Sequence, residues 1–263
     1  VNPSGKLPLT FPKTYRDCPT SLNFPGEFGE VTYGEGIFVG YRYYDTKDVE
    51  PLFPFGFGLS YTDYEITGMK LSADTYANDA TDPLKISVTV RNAAHNAGKE
   101  VVQVYVRDPK STLQKPEKEL KAFTKVALAP GESKTVTLEL MPKDFASYDT
   151  ALQQWTIEPG TYEILVGDSS RTIMADAKIS VTGKNPYGYS LRSSCGFIAA
   201  NPEAMAACSE VLGEAFDVDA FISQAIYFTG TPFGKYLERI QGMLADTPQG
   251  QQEVLDRLSE RLE

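Results

Sequence analysis

Gly98-Lys99-Glu100-Val101-Val102-Gln103-Val104-Tyr105-Val106-Arg107 carries the pattern that decides the fold. Val102, Val104 and Val106 alternate with Gln103, Tyr105 and Arg107, the period of a β-strand whose successive side chains point to opposite faces. The same reading holds outward from this run. Upstream, Leu84, Ile86, Val88 and Val90 alternate with Lys85, Ser87, Thr89 and Arg91. Downstream, Val136, Leu138 and Leu140 alternate with Thr135, Thr137 and Glu139, then Tyr162, Ile164 and Val166 repeat the pattern, and Ile179 and Val181 close it. Turn signals separate the runs: Asn96-Ala97-Gly98, Ala129-Pro130-Gly131-Glu132, Glu158-Pro159-Gly160 and Gly167-Asp168-Ser169-Ser170. Short amphipathic strands at this spacing predict a β-sandwich over residues 61–183. No cysteine lies between Ala73 and Gly183, which excludes the disulfide-pinned antibody type.

Both flanks differ in character. Residues 1–60 are dense in Pro, Gly and aromatics, above all in Tyr33-Gly34-Glu35-Gly36-Ile37-Phe38-Val39-Gly40-Tyr41-Arg42-Tyr43-Tyr44-Asp45 and in Pro51-Leu52-Phe53-Pro54-Phe55-Gly56-Phe57-Gly58-Leu59-Ser60-Tyr61-Thr62. From Ile37 to Tyr44 both alternating sets are largely apolar or aromatic, which predicts a strand covered on two sides and completed by a sheet begun upstream. Residues 184–263 switch to helical signals. Asn201-Pro202, Thr231-Pro232 and Thr247-Pro248 each place a capping side chain before a proline. Phe233, Tyr236, Leu237, Ile240, Met243 and Leu244 share one helical face, as do Val254, Leu255, Leu258 and Leu262. Asp217 or Asp219 is expected to cap a further helix through Phe221, Ile222, Ala225 and Ile226. The expected organisation is mainly β: residues 1–60, a sandwich over 61–183, and a small helical extension over 184–263 of about four short helices.

The two aromatic blocks resemble the late part of the second, α/β-sandwich domain of glycoside hydrolase family 3, the β-glucosidase and β-xylosidase family. The opening Asn2-Pro3-Ser4-Gly5-Lys6-Leu7-Pro8 with Phe11-Pro12 is similar to the family's approach to that block. Gly98–Tyr105, Lys118-Glu119-Leu120-Lys121-Ala122-Phe123, Leu128-Ala129-Pro130-Gly131-Glu132 and Trp155-Thr156-Ile157-Glu158-Pro159-Gly160-Thr161-Tyr162 resemble the fibronectin type III-like module that follows it. The likeness covers roughly residues 2–182. It implies that residues 1–60 end the α/β-sandwich domain. It also implies a retaining mechanism with an aspartate nucleophile from a barrel domain and an acid/base from an earlier part of the α/β sandwich. No residue of this chain matches either motif, so catalytic residues are expected outside it, before Val1 or, in members with swapped domain order, after the helical extension. Substrate-binding residues are left unassigned.

Composition narrows the remaining classes. The chain has 263 residues, with 41% hydrophobic and 23% charged content, ordinary for a globular protein. A net charge of −10 argues against nucleic acid or an anionic membrane as partner. Val1 is not a start residue and no signal-like segment follows it, so the true N-terminus is expected elsewhere and the compartment is left unread. Cys18, Cys195 and Cys208 are too few and too scattered for a disulfide framework. With His95 as the only histidine, in the turn-like Asn92–Gly98, no metal site and no cofactor are expected. Gly5-Lys6 lacks the earlier glycine and the following Ser or Thr of a phosphate loop. Lys110, Lys115, Lys118, Lys121 and Lys125 read as a solvated strand face. Glu35, Arg42 and Asp45 read as a structural charge group in which Arg42 pairs with Asp45 or Glu35. Tyr41, Tyr43, Tyr44, Phe53, Phe55 and Phe57 read as core or interface, and the Phe-Gly-Phe-Gly run as a junction packing element.

The expected function is therefore that of a non-catalytic scaffold of a β-glycosidase, most often a β-glucosidase, inactive by itself and partnered by the barrel and the remainder of the α/β sandwich. The alternative is a stand-alone carbohydrate- or protein-binding module with a helical oligomerisation tail.

Overall fold

Alternation becomes pairing in two sheets. In the computed structural model, which describes residues 1–262 except 151, 192 and 241–243, β1 (Tyr64–Leu71), β3 (Leu84–Asn92) and β6 (Ser133–Leu140) form one antiparallel sheet in the order β1-β3-β6. The second sheet runs β2-β10-β9-β4-β5, from β2 (Thr75–Ala77), β10 (Ile173–Thr182), β9 (Gly160–Gly167), β4 (Gly98–Arg107) and β5 (Glu119–Leu128). Only the short β2 joins parallel. β7 (Ser147–Asp149) and β8 (Gln154–Thr156) make a separate hairpin.

Register places like with like on the inner faces. Ile86 lies opposite Leu138 and Val88 opposite Val136, Ile66 opposite Val90, and Val104 opposite Val166. Leu84, Ile86, Val88, Val90, Val102, Val104, Ile164 and Ile179 are fully buried in one cluster that draws on both sheets. The other face of β3 and β6 stays polar, with hydroxyl pairs at Ser87–Thr137 (3.1 Å) and Thr89–Thr135 (3.3 Å). Buried polar groups find partners at the core's edges. Tyr162 Oη donates to the Glu158 carbonyl at 3.0 Å, and Tyr76 Oη to that of Asp82 at 2.9 Å. Asn92 closes the β3–β4 turn, donating to the Asn96 carbonyl (2.8 Å) and accepting from Ala94 N (2.9 Å).

One expectation is corrected here. The stretch Ile37–Tyr44 is not a strand. A turn spans 34–37, Gly36 and Gly40 hold φ of +57° and +55°, and α1 (Tyr41–Thr46) starts directly afterwards. Glycines with positive φ break an extended run, and a short, largely apolar stretch does not separate strand from helix by period alone. The two-sided strand is instead β4, where Gln103 and Tyr105 are buried along with the valines. Their cover is residues 41–57, which belong to the same compact unit, Val1–Asn185.

The second unit, Pro186–Glu263, is helical: α2 (Cys195–Ala199), α3 (Pro202–Leu212), α4 (Val218–Ala225), α5 (Phe233–Leu237) and α6 (Pro248–Leu262). Asn201 caps α3 by accepting from Glu203 N at 3.2 Å, with Pro202 opening the helix. Asp217, not Asp219, caps α4 by accepting from Ala220 N at 2.9 Å. Thr247 accepts from Gly250 N at 3.1 Å at the start of α6. At α5 the cap position falls on Pro232 rather than Thr231, so the helix begins one residue later than the sequence predicts. Ile198, Phe221, Phe233, Leu237, Leu258 and both cysteines are buried in one cluster, with Tyr236, Ile240, Leu244, Val254 and Leu255 packed on it. α4 buries Phe221 and Ala225 but leaves Ile222 and Ile226 exposed. Met243 falls outside the described residues.

Burial pushes the Cys208 thiol up to about 12, and burial likewise raises Cys195 and the Tyr236 hydroxyl. A group protonated in the folded state and ionised in the unfolded state stabilises folding fully below its unfolded pKa. That contribution is lost as pH rises toward the folded value. The helical unit is therefore expected to lose stability from pH about 9 upward. A thiol reagent at neutral pH should label Cys18, which is half-buried, long before Cys195 or Cys208. In the sandwich, Ile164→Ala should cost about 2–5 kcal/mol in denaturant unfolding.

Candidate docking interface

Residues 1–62 make few strand pairings of their own and are held on the sandwich by three sets of contacts. The first is backbone: Ser170 N donates to the Phe55 carbonyl at 2.9 Å, and further bonds tie the segment to itself. Leu7 N donates to the Phe57 carbonyl and Gly56 N to that of Leu7, both at 2.8 Å. Phe11 N donates to the Phe53 carbonyl at 2.9 Å. Asn2 ties the segment's ends, donating to Thr62 Oγ1 (2.7 Å) and the Ala97 carbonyl (3.2 Å) while accepting from Tyr61 N (2.9 Å). The Phe-Gly-Phe-Gly run lies where stretches of chain pass close together. A Cβ on Gly58 would strike the Gly5 carbonyl, and one on Gly56 (φ +81°) the Gln103 side chain.

The second set covers the outer face of β4. Tyr41 packs on Phe55 at 4.8 Å between centroids and edge-on to Tyr105 at 6.0 Å. Tyr41 Oη accepts from Leu120 N at 2.8 Å. Tyr105 Oη donates to Gln103 Oε1 at 2.6 Å, and Gln103 Nε2 donates on to the Gly56 and Asp168 carbonyls. Burial drives the Tyr105 hydroxyl far above its ordinary value, with Tyr41, Asp45 and Asp168 adding to the shift. Tyr41 is raised by burial too.

The third set is ionic. The Asp45 side chain is 3% exposed and has Oδ2 at 2.8 Å from Lys118 and Oδ1 at 2.6 Å from Arg171. Arg171 also donates to the Tyr44 and Val49 carbonyls, each at 2.9 Å. Lys6 pairs with the buried Glu100 at 2.8 Å.

These contacts redraw the charge map expected from sequence. Arg42 pairs with Glu119 at 3.0 Å, not with Asp45 or Glu35. Asp45 takes partners more than seventy positions away, which no local pattern announces. The lysine group is not one solvated face. Lys118 is buried, and Lys115 is half-buried between Asp108 (2.7 Å) and Glu158 (3.9 Å) and over the Tyr162 ring. Lys121 is half-buried beside Glu119. Lys110 and Lys125 alone of the five are exposed. His95 is exposed in the β3–β4 turn. Asp144 accepts from Met141 N at 2.7 Å, a cap on a short turn. Among the described residues no three His, Cys, Asp or Glu side chains gather as a metal site, and no helix is long and apolar enough to cross a membrane.

What the anchored segment presents is apolar. Leu22, Phe24, Phe28, Tyr33, Ile37 and Val39 are all exposed, Leu22 at 94% and Phe28 at 103%. Most of the large exposed apolar side chains among the described residues precede Thr62, a concentration that marks an interaction surface.

The family profile described as Fibronectin type III-like domain matches residues 100–170. The "Thermostable beta-glucosidase B" of Acetivibrio thermocellus is 46% identical over 219 residues, 82% of this chain but 29% of that protein. A crystal structure of the Bifidobacterium adolescentis GH3 beta-glucosidase superposes with a TM-score of 0.66 at 39% identity, over 78% of this chain and 30% of that one. The chain matches a C-terminal portion of glycoside hydrolase family 3 β-glucosidases. Its first unit supplies 185 of the 263 residues, fewer than an 82% match requires, so the family 3 likeness reaches into the helical unit, further than the sequence motifs led us to expect. The "Exo-alpha-(1->6)-L-arabinopyranosidase" of Bifidobacterium longum is also 46% identical, over 183 residues, 70% of this chain and 24% of that enzyme. The chain thus spans less than a third of the length of these relatives.

Removing the Asp45 charge strands Lys118 and Arg171 in a buried site. Asp45→Asn is expected to destabilise the first unit by about 3–5 kcal/mol, read by denaturant unfolding.

Proposed function

We propose that this chain is the non-catalytic scaffold of a retaining family 3 β-glycosidase, a β-glucosidase, acting on terminal β-linked glucosides through a barrel and the remainder of an α/β-sandwich domain carried elsewhere in the polypeptide. The observation that supports it is the apolar face of residues 9–61, fixed on a rigid sandwich yet left uncovered. Residues 1–60 end the α/β-sandwich domain in this reading, and the sandwich over 61–183 holds them in place.

Retaining hydrolysis needs two carboxyl groups about 5–5.5 Å apart, one as nucleophile and one as acid/base. Asp45 has both oxygens committed to cations, and Asp144 is spent on a cap. A further support is that relatives named for different sugars, a glucosidase and an arabinopyranosidase, each match this portion at 46% identity.

The test is a chromogenic aryl-β-glucoside. The 263-residue chain should show no turnover. The polypeptide encoded by its whole reading frame should turn over, and deleting these residues should abolish that through misfolding. In the long polypeptide, Asp45→Asn should lower Tm more than kcat per folded molecule. Loss of kcat by orders of magnitude at unchanged Tm would make Asp45 catalytic and end the scaffold reading.

A further inference from the structure

The exposed loop 19–39 is acidic as well as apolar. It holds Glu27, Glu30 and Glu35 and not one Lys or Arg. Glu27 and Glu30 are exposed. Glu35 is different: its Oε2 is closed off from water and has no hydrogen-bond partner in the chain. It sits in the turn at 34–37, its carbonyl accepting from Phe38 N at 3.0 Å. The Asn23 side chain packs against Gly34 beside it, and Tyr33 and Ile37 on either side are exposed. Arg42, the next basic residue along the chain, is engaged with Glu119.

A buried carboxylate oxygen without a donor is costly, and the cost rises when surrounding water is removed. Glu35 as a residue is half-buried, and covering Tyr33 and Ile37 would remove the water that still reaches the rest of it. On the proposed scaffold reading, on which this inference rests, that cover is another part of the same polypeptide. We infer that Glu35 receives a basic side chain, a guanidinium or an ammonium, from the surface that covers loop 19–39. The charge pattern fits the same partner. A loop with three carboxylates and no cation is complementary to a basic surface, and an ion pair at the middle of an apolar contact fixes its register.

Hydrogen exchange at the amides of 33–39 tests this, in the 263-residue chain and in the polypeptide of the whole reading frame. The loop should exchange fast in the first and be protected in the second. Glu35→Gln, which keeps the side chain's size, should leave exchange in the 263-residue chain unchanged and raise it roughly tenfold or more in the long polypeptide. Glu27→Gln should change neither. An equal effect of Glu35→Gln in both proteins would place its partner within this chain and overturn the inference. So would full protection of the long polypeptide's loop despite the substitution. A raised KM for the aryl-β-glucoside with protection intact would also overturn it, since the carboxylate would then face a sugar hydroxyl. A loop that exchanges fast in the long polypeptide without any substitution would sink the scaffold reading itself, a failure distinct from the other three.

Discussion

The neutralisation of Asp45 by Lys118 and Arg171 is the contact on which the first unit's organisation turns. It brings together α1, the start of β5 and the turn between β9 and β10. A carboxylate at 3% exposure is tolerable only with both oxygens engaged, so the three stretches have one mutual arrangement. Arg171 adds specificity beyond charge. Its planar group also donates to the carbonyls of Tyr44 and Val49, which fixes where α1 ends and where the chain leaves it. Such a cluster contributes more to uniqueness than to net stability, because the desolvation of three charges offsets most of their attraction.

Residues 1–62 need this clamp because they bury little of their own. Tyr44 is the only large apolar side chain of the segment that counts among the buried core. Its order is borrowed from β4, whose outer face receives Tyr41, Phe55 and Gly56 through Tyr105 and Gln103. Gly56 lets the backbone lie against the sheet with Phe55 turned inward, while Phe24, Phe28 and Tyr33, farther out in the loop, become the presented surface.

How legible each part is in the sequence follows from how local its causes are. The sandwich could be read because period-two runs and the turns between them lie within about ten residues of each other. Helix caps at Asn201, Asp217 and Thr247 could be read for the same reason. The outer face of β4 could not, because Gln103 and Tyr105 look solvent-facing until a segment some fifty positions upstream covers them. Nor could the fate of the lysines: Lys118 and Lys121 lie three apart, yet one is buried against Asp45 and the other leans on Glu119. The candidate interface was legible only as an excess of aromatics and glycines. Glu35 and Asp45, both drawn into one group with Arg42 by proximity in sequence, have unrelated environments.

The two units differ in how far each completes itself. The helical unit gathers Phe221, Phe233, Leu237, Leu258 and two thiols into one closed cluster. Among its described residues only Ile222, Ile226 and Tyr227 remain as large exposed apolar side chains. Short helices are marginal alone, and this cluster is what holds five of them. In the first unit the sandwich is equally complete, but the segment before Thr62 is not: it carries apolar area that its own fold leaves in water. Water-exposed aromatics on a rigidly anchored backbone gain nothing by folding and stabilise only an association. The unmet physical demand of this chain is therefore concentrated in its first sixty residues.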